Sequence, residues 1–116
     1  VYKVDATGRE AVLYSFTGGA DGSHPNAGVI ADAAGNLYGT TSGAAGNLGT
    51  VYKLDTAGQV TVLYRFSGGA DGSQPYSGLI RDAAGNFYGT TLYGGTAGVG
   101  VVYKLDAASH QTVLYQ

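Results

Sequence analysis

Two segments, GGADGSHPN (Gly18 to Asn26) and GGADGSQPY (Gly68 to Tyr76), hold the residue types best suited to chemistry. In each, an aspartate (Asp21 or Asp71) is followed by glycine and serine, so carboxylate, carbonyl and hydroxyl oxygens lie close together along the chain. Calcium takes roughly six to eight oxygens, and one segment by itself falls short of that count. The competing reading is a connection between strands in which Asp21 and Asp71 cap a turn through their own backbone and Pro25 and Pro75 fix its exit. The oxygen count favours the connection. Neither a metal nor a cofactor is assigned, and Asp21 and Asp71 stand as candidate ligand or glycan contacts.

His24 and His110 are the two histidines. Gln74 takes the place of His24 in the second segment, and His110 sits in a turn. A catalytic or metal role needs partners at ligand spacing, and the chain has no cysteine and no third histidine. Both read as surface residues. The carboxylates Asp5, Asp55, Asp106, Asp32 and Asp82 fall at the ends of apolar segments, as turn-formers do, rather than as a converging acid and base. No catalytic residue is assigned, and an enzyme is disfavoured.

Tyrosine is the remaining candidate. It recurs in register at Tyr2, Tyr52 and Tyr103, at Tyr14, Tyr64 and Tyr115, and at Tyr38 and Tyr88. A ladder of rings can stack on sugars or pack between sheets, and the repeated strand position favours packing. Tyr76 and Tyr93 have no tyrosine counterpart in the other copy, so they are expected to face solvent and to be the rings available to a glycan. The paired threonines Thr40, Thr41, Thr90 and Thr91 suit a strand by their branching and offer acceptors for O-linked sugar.

What must position these residues is a repeat. Val12 to Thr41 aligns with Val62 to Thr91 without a gap at 22 identities in 30 positions, and VYK recurs at Val1, Val51 and Val102. Within a unit of about 50 residues, four short apolar segments are separated by turn residues, the spacing of an all-β architecture. In the second copy these are SGLIRD (77–82), FYGTT (87–91), VVYKLD (101–106) and TVLY (112–115), with AAGN (83–86) as a tight turn. Tyr103 and Leu105 are expected on one face, Lys104 and Asp106 on the other. Gly39 and Gly89 lie inside strands, where glycine is costly unless something approaches closely, and tight packing of neighbouring sheets is the expected reason. Four strands per repeat predict four-stranded antiparallel blades of propeller type: the last two strands of a preceding blade over 1–16, then blades over 17–66 and 67–116.

Composition sets the outer bounds. With 44% hydrophobic and 12% charged residues in 116, the chain can build a core. Its net charge is -2 with Lys and Arg scattered singly, so nucleic acid is excluded as a partner. No apolar run is long enough to span a bilayer. Absence of Cys, Met and Trp beside ten tyrosines suits an exposed extracellular life.

The stretch VLYRFSGGADGSQPYSGLIRDAAGNFYGTT, with GVVYKLD, resembles the GloVer-type tandem repeat of bacterial choice-of-anchor surface proteins, in both copies and over essentially the whole chain. The D-x-x-G-N turn at Asp32 to Asn36 and Asp82 to Asn86 is also similar to that of NHL-type propellers. The resemblance implies a bacterial extracellular array held at the cell surface, with no activity attached to the repeat and no site residue carried over. A closed propeller takes roughly four to eight blades, so further copies of the chain or neighbouring repeats are the expected partners, in a ring or a filament. Surface glycans are the alternative partner. The start at Val1 and the stop before a match to Phe16 and Phe66 suggest a window on a longer array.

Overall fold

Each Asp-Ala-Ala-Gly-Asn stretch closes a hairpin. Gly35 N–H donates to Asp32 O (3.1 Å) and Asp32 N–H to Asn36 O (3.0 Å), and Gly85, Asp82 and Asn86 repeat the pattern at 3.1 and 3.0 Å. Apolar, β-branched and aromatic residues on either side of such turns favour extended pairing. A computed structural model describing residues 1–116 contains ten strands and no helix: β1 (Tyr2–Val4), β2 (Glu10–Val12), β3 (Ile30–Ala31), β4 (Leu37–Thr41), β5 (Thr50–Leu54), β6 (Val60–Arg65), β7 (Ile80–Arg81), β8 (Phe87–Thr90), β9 (Val102–Leu105) and β10 (Gln111–Tyr115). No helix is long and apolar enough to cross a membrane.

The strands form three antiparallel sheets: a β1-β2 hairpin, a first sheet in the order β3-β4-β5-β6, and a second in the order β7-β8-β9-β10. Register repeats between them. Leu37, Tyr38 and Gly39 stand opposite Leu54, Lys53 and Tyr52, just as Phe87, Tyr88 and Gly89 stand opposite Leu105, Lys104 and Tyr103. The fourth strand is bulged at the same place in both sheets, where Val51 pairs with Tyr64 and Val102 with Tyr115. The segment SGLIRD is strand only over Ile80–Arg81. Its first residue bridges the two sheets: Ser77 O accepts from Thr40 Oγ1 at 3.0 Å, and the Ser77 hydroxyl pairs with Thr90 Oγ1 of β8 at 2.9 Å.

The core lies between the two four-stranded sheets. Tyr38, Val51, Phe66, Leu79, Phe87, Val101, Tyr103 and Leu105 form it, with Ile30, Leu48, Leu63, Tyr64 and Val113 packed around them. Its geometry is asymmetric: the first sheet contributes the face bearing Tyr38 and Val51, and the second contributes the opposite face, bearing Phe87, Tyr103 and Leu105. The rings of Tyr38 and Phe87 meet at 4.6 Å.

Glycine within a strand has a different reason from the one expected. A Cβ on Gly39 would lie 2.6 Å from the Tyr52 hydroxyl, and one on Gly89 would lie 2.5 Å from that of Tyr103. These tyrosines are the glycines' cross-strand partners within the same sheet, so the group that comes close is a ring of the glycine's own sheet, which in turn meets Phe16 or Phe66 of the preceding unit.

Candidate functional site

The loops that carry Asp21 and Asp71 are built identically. Asp21 accepts from Tyr14 Oη (3.0 Å), Thr17 N (2.8 Å) and Thr17 Oγ1 (2.6 Å). Asp71 accepts from Tyr64 Oη (2.9 Å), Ser67 N (2.9 Å) and Ser67 Oγ (2.6 Å). Burial alone would raise both carboxyls, but these bonds together outweigh it and hold them below the ordinary value. Burial, with the same contact to Asp71 added, pushes the Tyr64 hydroxyl up to about 12. In each case a tyrosine at or just beyond the end of a strand is tied to the loop that follows it.

The loop then lies over the threonine end of the next strands. Ser42 N donates to His24 O (3.1 Å) and Gly43 N to Ser23 O (3.0 Å), while Leu92 N donates to Gln74 O (3.0 Å) and Tyr93 N to Ser73 O (3.2 Å). His24 and Gln74 both adopt left-handed backbone, at φ 56° and 54°, although each precedes a proline and would ordinarily be extended. Neighbouring units are stitched here as well, since Gln74 N donates to Leu48 O (2.7 Å), while the Arg65 guanidinium ties β6 to its own unit's loop by donating to Ala20 O.

All the other aspartates are turn anchors. Asp5, Asp55 and Asp106 each accept backbone N–H groups two and four residues ahead, at 2.8 to 3.0 Å. Asp32 and Asp82 add the side chain of Asn36 or Asn86 and the hydroxyl of Tyr38 or Tyr88. The asparagine side-chain bond is the leading cause that holds both carboxyls down at about 2, against an ordinary 3.8. A carboxyl depressed on folding stabilises the fold fully above its unfolded value and ceases to do so as pH falls through the folded one. Melting temperature, followed by circular dichroism, is therefore expected to be level above about pH 4 and to fall towards pH 2. Asp32→Asn combined with Asp82→Asn should make that fall shallower, and an unchanged slope would refute the assignment.

No three His, Asp or Glu side chains converge. His24 Nδ1 lies 3.1 Å from Gly43 O, and His110 Nδ1 lies 3.4 Å from Asp106 Oδ2 with its side chain in solvent. Tyr76 and Tyr93 are 53% and 52% exposed. Their loops touch through the paired backbones of Ser73 and Tyr93. Thr40, Thr41 and Thr91 are buried, which removes them as sugar acceptors, while Thr90 is exposed.

Sequence reasoning missed an aromatic joint. Phe66, just beyond β6, is buried with its ring 5.2 Å from Tyr64 and 5.0 Å from Tyr103 of the second sheet. Phe16 repeats this with Tyr14 (5.1 Å) and Tyr52 (4.9 Å). The recurrence of Y-x-F at both places was the available signal.

Two broad surfaces remain. The outer face of the second sheet exposes Ile80, Thr90, Val102 and Leu114. Their counterparts in the first sheet, Ile30, Thr40, Val51 and Leu63, are covered: Val51 is 0% exposed where Val102 is 37%. Between the β1-β2 hairpin and the first sheet run two grooves of about 590 and 670 Å³, lined in part by Tyr2, Val29, Leu37, Tyr52 and Leu54.

A family model described as the Gloeobacter/Verrucomicrobia repeat matches residues 1–116. Comparison with curated proteins and with solved structures returns no match.

Proposed function

The chain belongs to the Gloeobacter/Verrucomicrobia repeat family, and on that premise we propose that it is a non-enzymatic structural or adhesive unit of an extracellular, cell-surface repeat array. Its sheets are propeller-type blades over residues 17–66 and 67–116, preceded by the last two strands of another over 1–16, and its partners are neighbouring repeats or further copies of itself. The observation that carries this reading is that each unit spends its carboxylates on holding its own turns and loops and its buried aromatics on the joint to the next. All seven aspartates anchor turns or loops. The Phe66 joint and the covered face of the first sheet bind successive units together. The bias away from sulfur and towards tyrosine supports exposure outside the cell.

A second reading, a carbohydrate-binding module, is favoured by the half-exposed Tyr76 and Tyr93 on two touching loops. Rings so placed can stack on a sugar face. A glycan array probed with a chain of several repeats separates the two. The structural reading expects no saturable binding that grows with repeat number. Saturable binding abolished by Tyr76→Ala with Tyr93→Ala would overturn it in favour of the lectin.

A further inference from the structure

β1 is the counterpart of β5 and β9. Val1, Tyr2, Lys3, Val4 and Asp5 match Val51, Tyr52, Lys53, Leu54 and Asp55, and also Val102, Tyr103, Lys104, Leu105 and Asp106. In both complete sheets this strand is internal, paired on its far edge by a Leu/Phe-Tyr-Gly-Thr strand in one fixed register. β1 pairs only with β2, so its far edge is open. Tyr2 is accordingly 67% exposed where Tyr52 is 1%.

The space beside that edge is lined by residues whose counterparts form the covered interface one repeat later. There, Tyr38 stacks on Phe87 at 4.6 Å and Thr40 Oγ1 donates to Ser77 O at 3.0 Å. The positions matching Phe87, Leu79 and Ser77 on the first sheet are Leu37, Val29 and Ala27, and these line the two grooves. Leu37 and Val29 are less buried than Phe87 and Leu79. An open strand edge beside an apolar groove takes an added strand, with backbone pairing for affinity and alternate side chains for specificity.

We propose that the β1 edge and its grooves form a docking site for a strand pair of the β3-β4 type, contributed by a further repeat of this family. The incoming strand carries Tyr-Gly-Thr, with its glycine opposite Tyr2, its tyrosine opposite Lys3 and its threonine opposite Val1. The Tyr2 ring closes over that glycine as Tyr52 does over Gly39. The incoming tyrosine ring lies on Leu37, and the threonine hydroxyl donates to the Ala27 carbonyl. The inference rests on the array reading and deepens it, naming the segment that each unit accepts from the one before.

The test places a copy of residues 67–101 directly ahead of Val1, so that the strand pair is tethered and its affinity for the groove is not limiting. Backbone hydrogen exchange at Tyr2 and Val4, whose N–H groups face the open edge, is expected to slow at least tenfold relative to the chain alone. Changing the tethered glycine that matches Gly89 to valine should abolish that protection while leaving exchange in β4, β5, β8 and β9 unaltered. Unchanged exchange at β1, or protection that survives the glycine change, would overturn the proposal. An appended repeat at the other end that still stacks on the second sheet would then show that the array reading stands without it.

Discussion

Phe66→Ala is expected to destabilise the chain by about 3 to 5 kcal/mol, the usual range for deleting a buried phenylalanine ring. The ring is buried where the end of the first sheet reaches into the second, and it touches tyrosines of both. Its backbone is held too, since Phe66 N–H donates to Gly49 O at 3.0 Å, so the cavity cannot close by moving the chain. Loss of the ring should also loosen the coupling between sheets, giving a shallower urea transition as well as an earlier one. Phe16→Ala supplies the comparison. Phe16 makes the same contacts with Tyr14 and Tyr52 but is only half-buried, so its loss should be the smaller. Equal effects, or a Phe66→Ala chain within about 1 kcal/mol of the parent, would contradict the role assigned to the joint.

Gly89→Val should cost about 3 kcal/mol, at the upper end for forcing atoms into a packed interior. Even the first added carbon meets Tyr103 Oη at 2.5 Å and Cζ at 2.7 Å, and that ring is fully buried with no free direction to turn. β-propensity alone would predict a gain from valine in a strand, so the sign of the change is diagnostic. Tyr103→Phe is the natural companion. Burial pushes the Tyr103 hydroxyl well above its ordinary value, and that hydroxyl has no hydrogen-bond partner. Removing it should stabilise the chain by about 1 kcal/mol, the penalty of an unsatisfied buried polar group. Thermal and urea unfolding of the two variants read both signs, and a tolerated Gly89→Val would refute the account of glycine in these strands.

The strands were legible because their signals are local. Alternation placed Tyr103 and Leu105 on the buried face, and the Asp-Ala-Ala-Gly-Asn turns set where β4 and β8 begin. What stayed hidden depends on partners distant in the chain. Phe66 meets Tyr103 across 37 residues, and no spacing rule connects an aromatic beyond a strand end to a ring in the next sheet. The reason for Gly39 and Gly89 was misplaced because a ring lying across its own sheet cannot be told, from the sequence, from a neighbouring sheet lying close. Asp21 and Asp71 were legible as turn residues, but their bonds to Tyr14 and Tyr64 were not, since the tyrosines lie seven residues back, at or just beyond the end of the preceding strand. Left-handed His24 and Gln74 ran against the ordinary rule for a residue before proline, and only the backbone bonds of Ser42 and Leu92 to their carbonyls account for it.

That successive units stack through the face of the second sheet exposing Ile80, Val102 and Leu114 is tested most directly by adding one more unit. A copy of residues 66–116 placed after Gln116, so that a phenylalanine stands at the joint as Phe66 does, is expected to raise both the urea midpoint and the slope of a single cooperative transition, because nearest-neighbour interfaces add to the stability of each repeat. Val102→Lys, which leaves the parent chain little changed at an exposed position, should cancel the gain. An unchanged midpoint, with the added unit melting separately, would contradict the account.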